Sequence, residues 1–157
     1  MHGDIKPANV LVFQNESGRY TARVIDFGYS SRYVRDDERL SLPISAPWNA
    51  PENDGRSYGW TPSQAVKADF YCFGLLCVWL LSPCCHERQT ASEGEEVLRS
   101  IKENLPMHTQ QLLSELNVRE DIKTALWELF NSTLRQDPQE RGDKCLFRFV
   151  KNLDPER

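Results

Sequence analysis

The feature that most constrains this chain is an apolar run from Phe70 to Leu81, with a helix start at Thr61, Pro62 and Ser63 and a stop at Ser82 and Pro83. Its apolar side chains fall on nearly every side of a helix. Such a helix belongs in the middle of a domain, with other elements packed around it. The run is shorter than the about 20 apolar residues that cross a bilayer, so it reads as a buried helix. We expect the core to centre on Phe70, Phe73, Leu76 and Trp79.

Ser92 to Asn104 and Glu120 to Leu134 carry apolar residues at helical spacing: Val97, Leu98 and Ile101 in the first, Ile122, Leu126, Leu129 and Phe130 in the second. Both read as amphipathic helices that pack on the central one. A last helix is expected over Asp143 to Leu153, with Leu146, Phe147 and Val150 facing inward. Near the start, Val10 to Phe13 and Tyr20 to Ile25 are short β-branched-rich segments separated by Asn15, Glu16, Ser17 and Gly18, the pattern of a hairpin. Tyr29 to Asp54 is rich in Ser, Arg, Asp and Pro without sustained period, and loops of that length are usually functional. The fold class expected is mainly α with small β-hairpins. The 157 residues suffice for one core and require no second domain.

Composition narrows the partners. A formal charge of -4 gives no electrostatic footprint for nucleic acid or an anionic membrane, so neither is expected as a partner. His2, Gly3 and Asp4 directly follow Met1, which is not the pattern of a signal peptide; a cytoplasmic location is expected, with the nucleus also open. The five cysteines are Cys72, Cys77, Cys84, Cys85 and Cys145, an odd count without the paired spacing of a zinc site. Cys84, Cys85 and His86 are adjacent, but thiols after an apolar helix read as core and loop rather than as a metal site.

The chemistry concentrates at the two ends of the hairpin. His2-Gly3-Asp4-Ile5-Lys6-Pro7-Ala8-Asn9 leads into the first strand, and the second strand delivers Asp26-Phe27-Gly28. Two carboxylates and an amide therefore converge. Phosphoryl transfer needs a carboxylate to orient the acceptor hydroxyl, a cation for the γ-phosphate and oxygen ligands for magnesium; Asp4, Lys6, Asn9 and Asp26 supply each part.

These motifs resemble the catalytic loop and the DFG loop of eukaryotic-type serine/threonine protein kinases. The resemblance implies Asp4 as catalytic base, Lys6 as the γ-phosphate contact, Asn9 and Asp26 as Mg2+ ligands, and Leu11 under the adenine of ATP. Lys6, two residues after Asp4, is the serine/threonine pattern. Ala50-Pro51-Glu52 matches the motif that closes the activation segment, and Ser45 stands where the family usually has a threonine. Trp48 replaces a more common tyrosine. Asp69 with Phe73-Gly74 resembles the family's central helix, whose aspartate accepts hydrogen bonds from the catalytic-loop backbone. Arg141, after Asp137-Pro138, stands where the family keeps an arginine that pairs with the glutamate of Ala50-Pro51-Glu52. The resemblance divides residues 1–157 into a catalytic loop (2–9), an activation segment (26–52) and a helical subdomain (61–153), together the C-terminal lobe of a kinase domain.

Some positions depart from that pattern. Gly3 replaces the arginine that receives an activation-loop phosphate, so activation by loop phosphorylation is not expected. None of the eight glycines forms GxGxxG, and no lysine precedes Asp4. The expectation is a partial kinase domain without the N-terminal lobe and without the helix that leads into the catalytic loop, weak or inactive alone, and in need of the missing lobe or a partner segment. Two alternatives stay open: a pseudokinase or kinase-derived interaction module, and a small-molecule phosphotransferase of the aminoglycoside or choline kinase type, which Gly3 resembles.

Overall fold

A computed structural model describes residues 1–32, 37, 39–56, 59–86 and 90–142. Cys145, the expected helix over Asp143 to Leu153 and short stretches of the long loop lie outside the described residues. Strands β1 (Val10–Gln14) and β2 (Tyr20–Val24) pair antiparallel, with Val10 opposite Val24 and Leu11 opposite Arg23. Five α-helices follow among the described residues: α1 (Pro62–Leu81), α2 (Pro83–His86), α3 (Ala91–Glu103), α4 (Leu105–Glu115) and α5 (Glu120–Thr133). The described chain is thus mainly helical with one small hairpin.

The hairpin closes through Asn15, whose Oδ1 accepts from the backbone of Ser17 and Arg19, while Gly18 takes φ 78° at no steric cost. α1 starts at a capping box: Gln64 N–H donates to the Thr61 hydroxyl, and the Gln64 side chain accepts from Thr61 N–H. α3 repeats that device with Thr90 and Glu93. Between the hairpin and α1, an isolated antiparallel bridge pairs Leu40 with Trp60.

α1 is the central helix, but its phase differs from expectation. Ala65, Ala68, Tyr71, Leu75 and Val78 form the most deeply buried stripe, and Leu76 is buried beside it. Phe70, Phe73 and Trp79 are only half-buried. A helix that is apolar all round carries no phase in its periodicity. Two other residues set it. Asp69 must face the backbone of His2 and Gly3, and Gly74 lies against α5 so closely that a β-carbon would stand 2.4 Å from the Thr133 hydroxyl. The helix is also longer than the apolar run. By length and composition it is long and apolar enough to cross a membrane, yet its Tyr71, Leu75 and Val78 join Leu98, Leu126 and Leu129 in the core.

α4 was not legible as a helix. Its polar middle hides an inward set, Leu105, Thr109, Leu112 and Leu113, at helical spacing, and the Thr109 hydroxyl is satisfied by donating to the Leu105 carbonyl. Asn104 ends α3 and precedes α4 at once, so one residue turns the chain without a loop.

Candidate active site

Asp69 fixes the start of the chain. Its two carboxylate oxygens accept from the backbone N–H groups of His2 (2.6 Å) and Gly3 (2.9 Å). His2 accepts at Nδ1 from Asp4 N–H and therefore carries its proton on Nε2, which donates to the Ile25 carbonyl at 3.0 Å. This imidazole thus ties the segment before β1 to the end of β2. Gly3 sits at φ 88°, and a β-carbon there would stand 2.8 Å from the Tyr29 carbonyl oxygen. The glycine at this position has a steric cause in the chain's own backbone.

Asp4 is the hub that these contacts hold in place. Its Oδ1 accepts from the Ser45 hydroxyl at 2.8 Å; its Oδ2 accepts from Asn9 Nδ2 at 3.0 Å and pairs with Lys6 Nζ at 2.8 Å. Lys6 also donates to Ser45 Oγ at 3.2 Å, and Asn9 Nδ2 donates to the Asp4 carbonyl at 2.8 Å. Proline at the start of the Pro7–Asn9 3-10 turn aims Asn9 back at Asp4, and Asn9 is buried. Asp26 comes next to this cluster through the backbone: Ile25 N–H donates to the Asn9 carbonyl at 2.9 Å. Asp26 adopts φ 61°, in the left-handed region that a side chain rarely occupies, and its exposed carboxylate accepts only from Gly28 N–H among the described residues. Leu11 lies on β1, opposite Arg23, and is 53% exposed. The structure therefore bonds Asp4, Lys6, Asn9 and Ser45 into one cluster, with Asp26 one residue beyond its edge.

The two buried aspartates are driven in opposite directions. Burial alone would raise the Asp4 carboxyl, but hydrogen bonds from Lys6 and Ser45, the Lys6 charge and the Asn9 bond together hold it below its ordinary value. At Asp69, burial outweighs the two backbone hydrogen bonds and raises the carboxyl. The stability from Asp4 is therefore complete above the unfolded value of 3.8 and is lost as pH falls through the folded value. The Asp69 contribution is complete below 3.8 and is lost as pH rises through its raised value. We expect Asp4→Asn to flatten the acid side of the melting-temperature profile and Asp69→Asn to flatten the fall on its neutral side. Melting curves from about pH 3 to pH 7 check both; parallel profiles for the two variants would contradict the assignment.

A family model described as the protein kinase domain matches residues 1–145. The chain belongs to the protein kinase family. This kinase-family chain is 33% identical to mouse serine/threonine-protein kinase SBK1 over 97% of its own length and 35% of that protein. It is 39% identical to a rice calcium/calmodulin-dependent serine/threonine-protein kinase over 52% of its length and 12% of that protein. It thus spans about a third or less of these relatives. No solved structure matches it.

In this kinase domain the stretch 47–52 is fastened at two points. Arg141 Nη1 and Nη2 donate to the two oxygens of Glu52 at 2.6 and 2.8 Å, a bidentate pair with the arginine side chain at 0% exposure. Lys102 donates from α3 to the carbonyls of Pro47 and Asn49 at 2.7 and 2.9 Å. Sequence reading found the first fastening and missed the second. A lysine in the last turn of an amphipathic helix reads as solvent-facing, and nothing in the sequence marks one that folds inward. Burial pushes the Cys72 and Cys77 thiols up to about 12, so neither is a nucleophile at neutral pH. No cluster of three or more metal-ligating His, Cys, Asp or Glu exists among the described residues.

Proposed function

We propose that this site transfers the γ-phosphoryl group of ATP to a serine or threonine hydroxyl of a protein, with Mg2+. The observation that carries the reading is the bonded cluster of Asp4, Lys6, Asn9 and Ser45, placed beside Asp26. Its donors suit the nucleotide and its metal. Asn9 makes both of its hydrogen bonds through Nδ2, which leaves Oδ1 as a ligand oxygen, and the Asp26 carboxylate is exposed with a single backbone donor. Two hard oxygen donors of this kind match Mg2+. Asn9 and Asp26 would hold the metal, Lys6 the γ-phosphate and Leu11 the adenine; bound Mg2+ supplies charge neutralisation to the triphosphate.

Asp4 orients the acceptor hydroxyl and takes its proton. Ser45 and Lys6 occupy defined positions on its two oxygens, so the carboxylate is ionised and aimed before any acceptor arrives. The anchoring of the activation segment through Glu52 and Arg141 favours a protein acceptor over a small molecule. The four polar side chains together favour catalysis over a purely scaffolding role. None of the eight glycines forms a phosphate-covering GxGxxG loop, so a polypeptide of residues 1–157 holds nucleotide loosely and turns over slowly.

Nucleotide titration tests the metal assignment directly. Mg2+ is expected to tighten ATP binding to the wild-type chain, and Asp26→Asn is expected to remove at least about tenfold of that gain. Asparagine tolerates the left-handed backbone, so the variant should melt like the wild type. An unchanged Mg2+ effect in Asp26→Asn would overturn the role of Asp26.

A further inference from the structure

A cavity of about 430 Å³ opens beside the Asp4 cluster, within the size range of ligand clefts. Lys6 and Ser45 form the edge it shares with that cluster. Pro7, Ala8, Ala46 and the rings of Trp48 and Trp79 supply its other walls, and Glu95 is its one acid among the described residues. The two indoles pack edge to face at 5.8 Å, and Trp48 Nε1 donates to Glu95 Oε1 at 3.3 Å, which fixes the Trp48 ring. The cation at the edge is already paired, since Lys6 Nζ lies 2.8 Å from Asp4 Oδ2. The cavity therefore offers two aromatic faces, small apolar side chains and one carboxylate, and no unpaired positive charge from its described walls.

Resting on the phosphoryl-transfer reading above, we infer that the acceptor is a peptide segment with a bulky apolar side chain, such as leucine or phenylalanine, flanking its hydroxyl residue. The shared edge places that side chain: a residue next to a hydroxyl held at Asp4 reaches the cavity across Lys6 and Ser45. Apolar area removed from water against Trp48 and Trp79 favours it. An acidic residue there would meet Glu95 with no unpaired cation among the described walls, and is selected against.

Fluorescently labelled serine peptides test this, with the two residues on each side of the serine changed in turn to Ala, Leu, Phe, Asp or Arg. Binding is read by anisotropy and phosphoryl transfer separately. At one flanking position, Leu and Phe are expected to bind at least about tenfold more tightly than Ala, with Asp weaker than Ala. Trp79→Ala should reduce the Leu and Phe preference to less than about threefold. Ala8→Glu, at an exposed position that does not threaten folding, should shift preference from Leu toward Arg. Equal affinity for Ala, Leu, Phe and Asp, no binding of any peptide, or a Leu preference unchanged in both variants would overturn the inference. Apolar selectivity in binding without phosphoryl transfer would support the cavity and overturn the transfer reading. Transfer without selectivity would do the reverse.

Discussion

Arg141→Ala is expected to lower the unfolding free energy by about 3–5 kcal/mol, the usual cost of removing one partner of a buried ion pair. The guanidinium uses its full set of donors: two hydrogen bonds to Glu52, and one each to the carbonyls of Lys67, Gln136 and Arg135. It also lies over the Tyr71 ring at 4.7 Å, on the most buried stripe of α1. Truncation would leave a shielded carboxylate at Glu52 and three carbonyls without their donor, and would uncouple the stretch around Glu52 from the helices. Arg141→Lys should recover only part of the loss, since an ammonium cannot make the bidentate pair. Arg99→Ala is the control, because that side chain is half exposed and 3.7 Å from Glu96. Urea unfolding midpoints at unchanged slope measure all three. A loss at Arg141 no larger than that at Arg99 would show that the pair is not shielded in solution.

Much of the fold was legible because its signals are local. Thr61, Pro62 and Ser63 announce the start of α1, the Asn15 to Gly18 turn announces the hairpin, and Leu126, Leu129 and Phe130 fall at helical spacing. The phase of α1 was not, since a helix apolar on all sides is oriented by its polar exceptions, Asp69 and Gly74. α4 was missed because its short apolar set is interrupted by a polar middle. In the site, the Asp4, Lys6 and Asn9 grouping was readable from spacing, and Glu52 with Arg141 from the family pattern, although they are 89 residues apart. The fastening of Lys102 to Pro47 and Asn49 depends on how α3 docks against residues 47–49, and the edge-to-face contact of Trp48 with Trp79 on how α1 does. No local spacing encodes that docking.

Asp4→Asn is expected to lower phosphoryl transfer by about 10²–10⁴-fold, the range for loss of a positioned general base. The amide keeps the shape of the carboxylate and an oxygen toward the Ser45 hydroxyl, but it cannot take the acceptor proton and it leaves Lys6 without its ion-pair partner. Effects of this size on rate, with ATP binding retained, separate Asp4 from the proposed metal ligands Asn9 and Asp26. Asp26→Asn should weaken Mg2+-nucleotide binding first, whereas Asp4→Asn should leave binding nearly intact and reduce the chemical step.

The most direct test is radiometric transfer of labelled γ-phosphate to a serine peptide by the 157-residue chain, with and without Mg2+, beside Asp4→Asn. High protein concentration and long incubation suit the slow turnover expected of it. The account predicts slow, Mg2+-dependent labelling of serine that falls to the level of buffer in Asp4→Asn. Labelling that proceeds equally in Asp4→Asn, or no labelling by the wild-type chain at saturating nucleotide and acceptor, would contradict it.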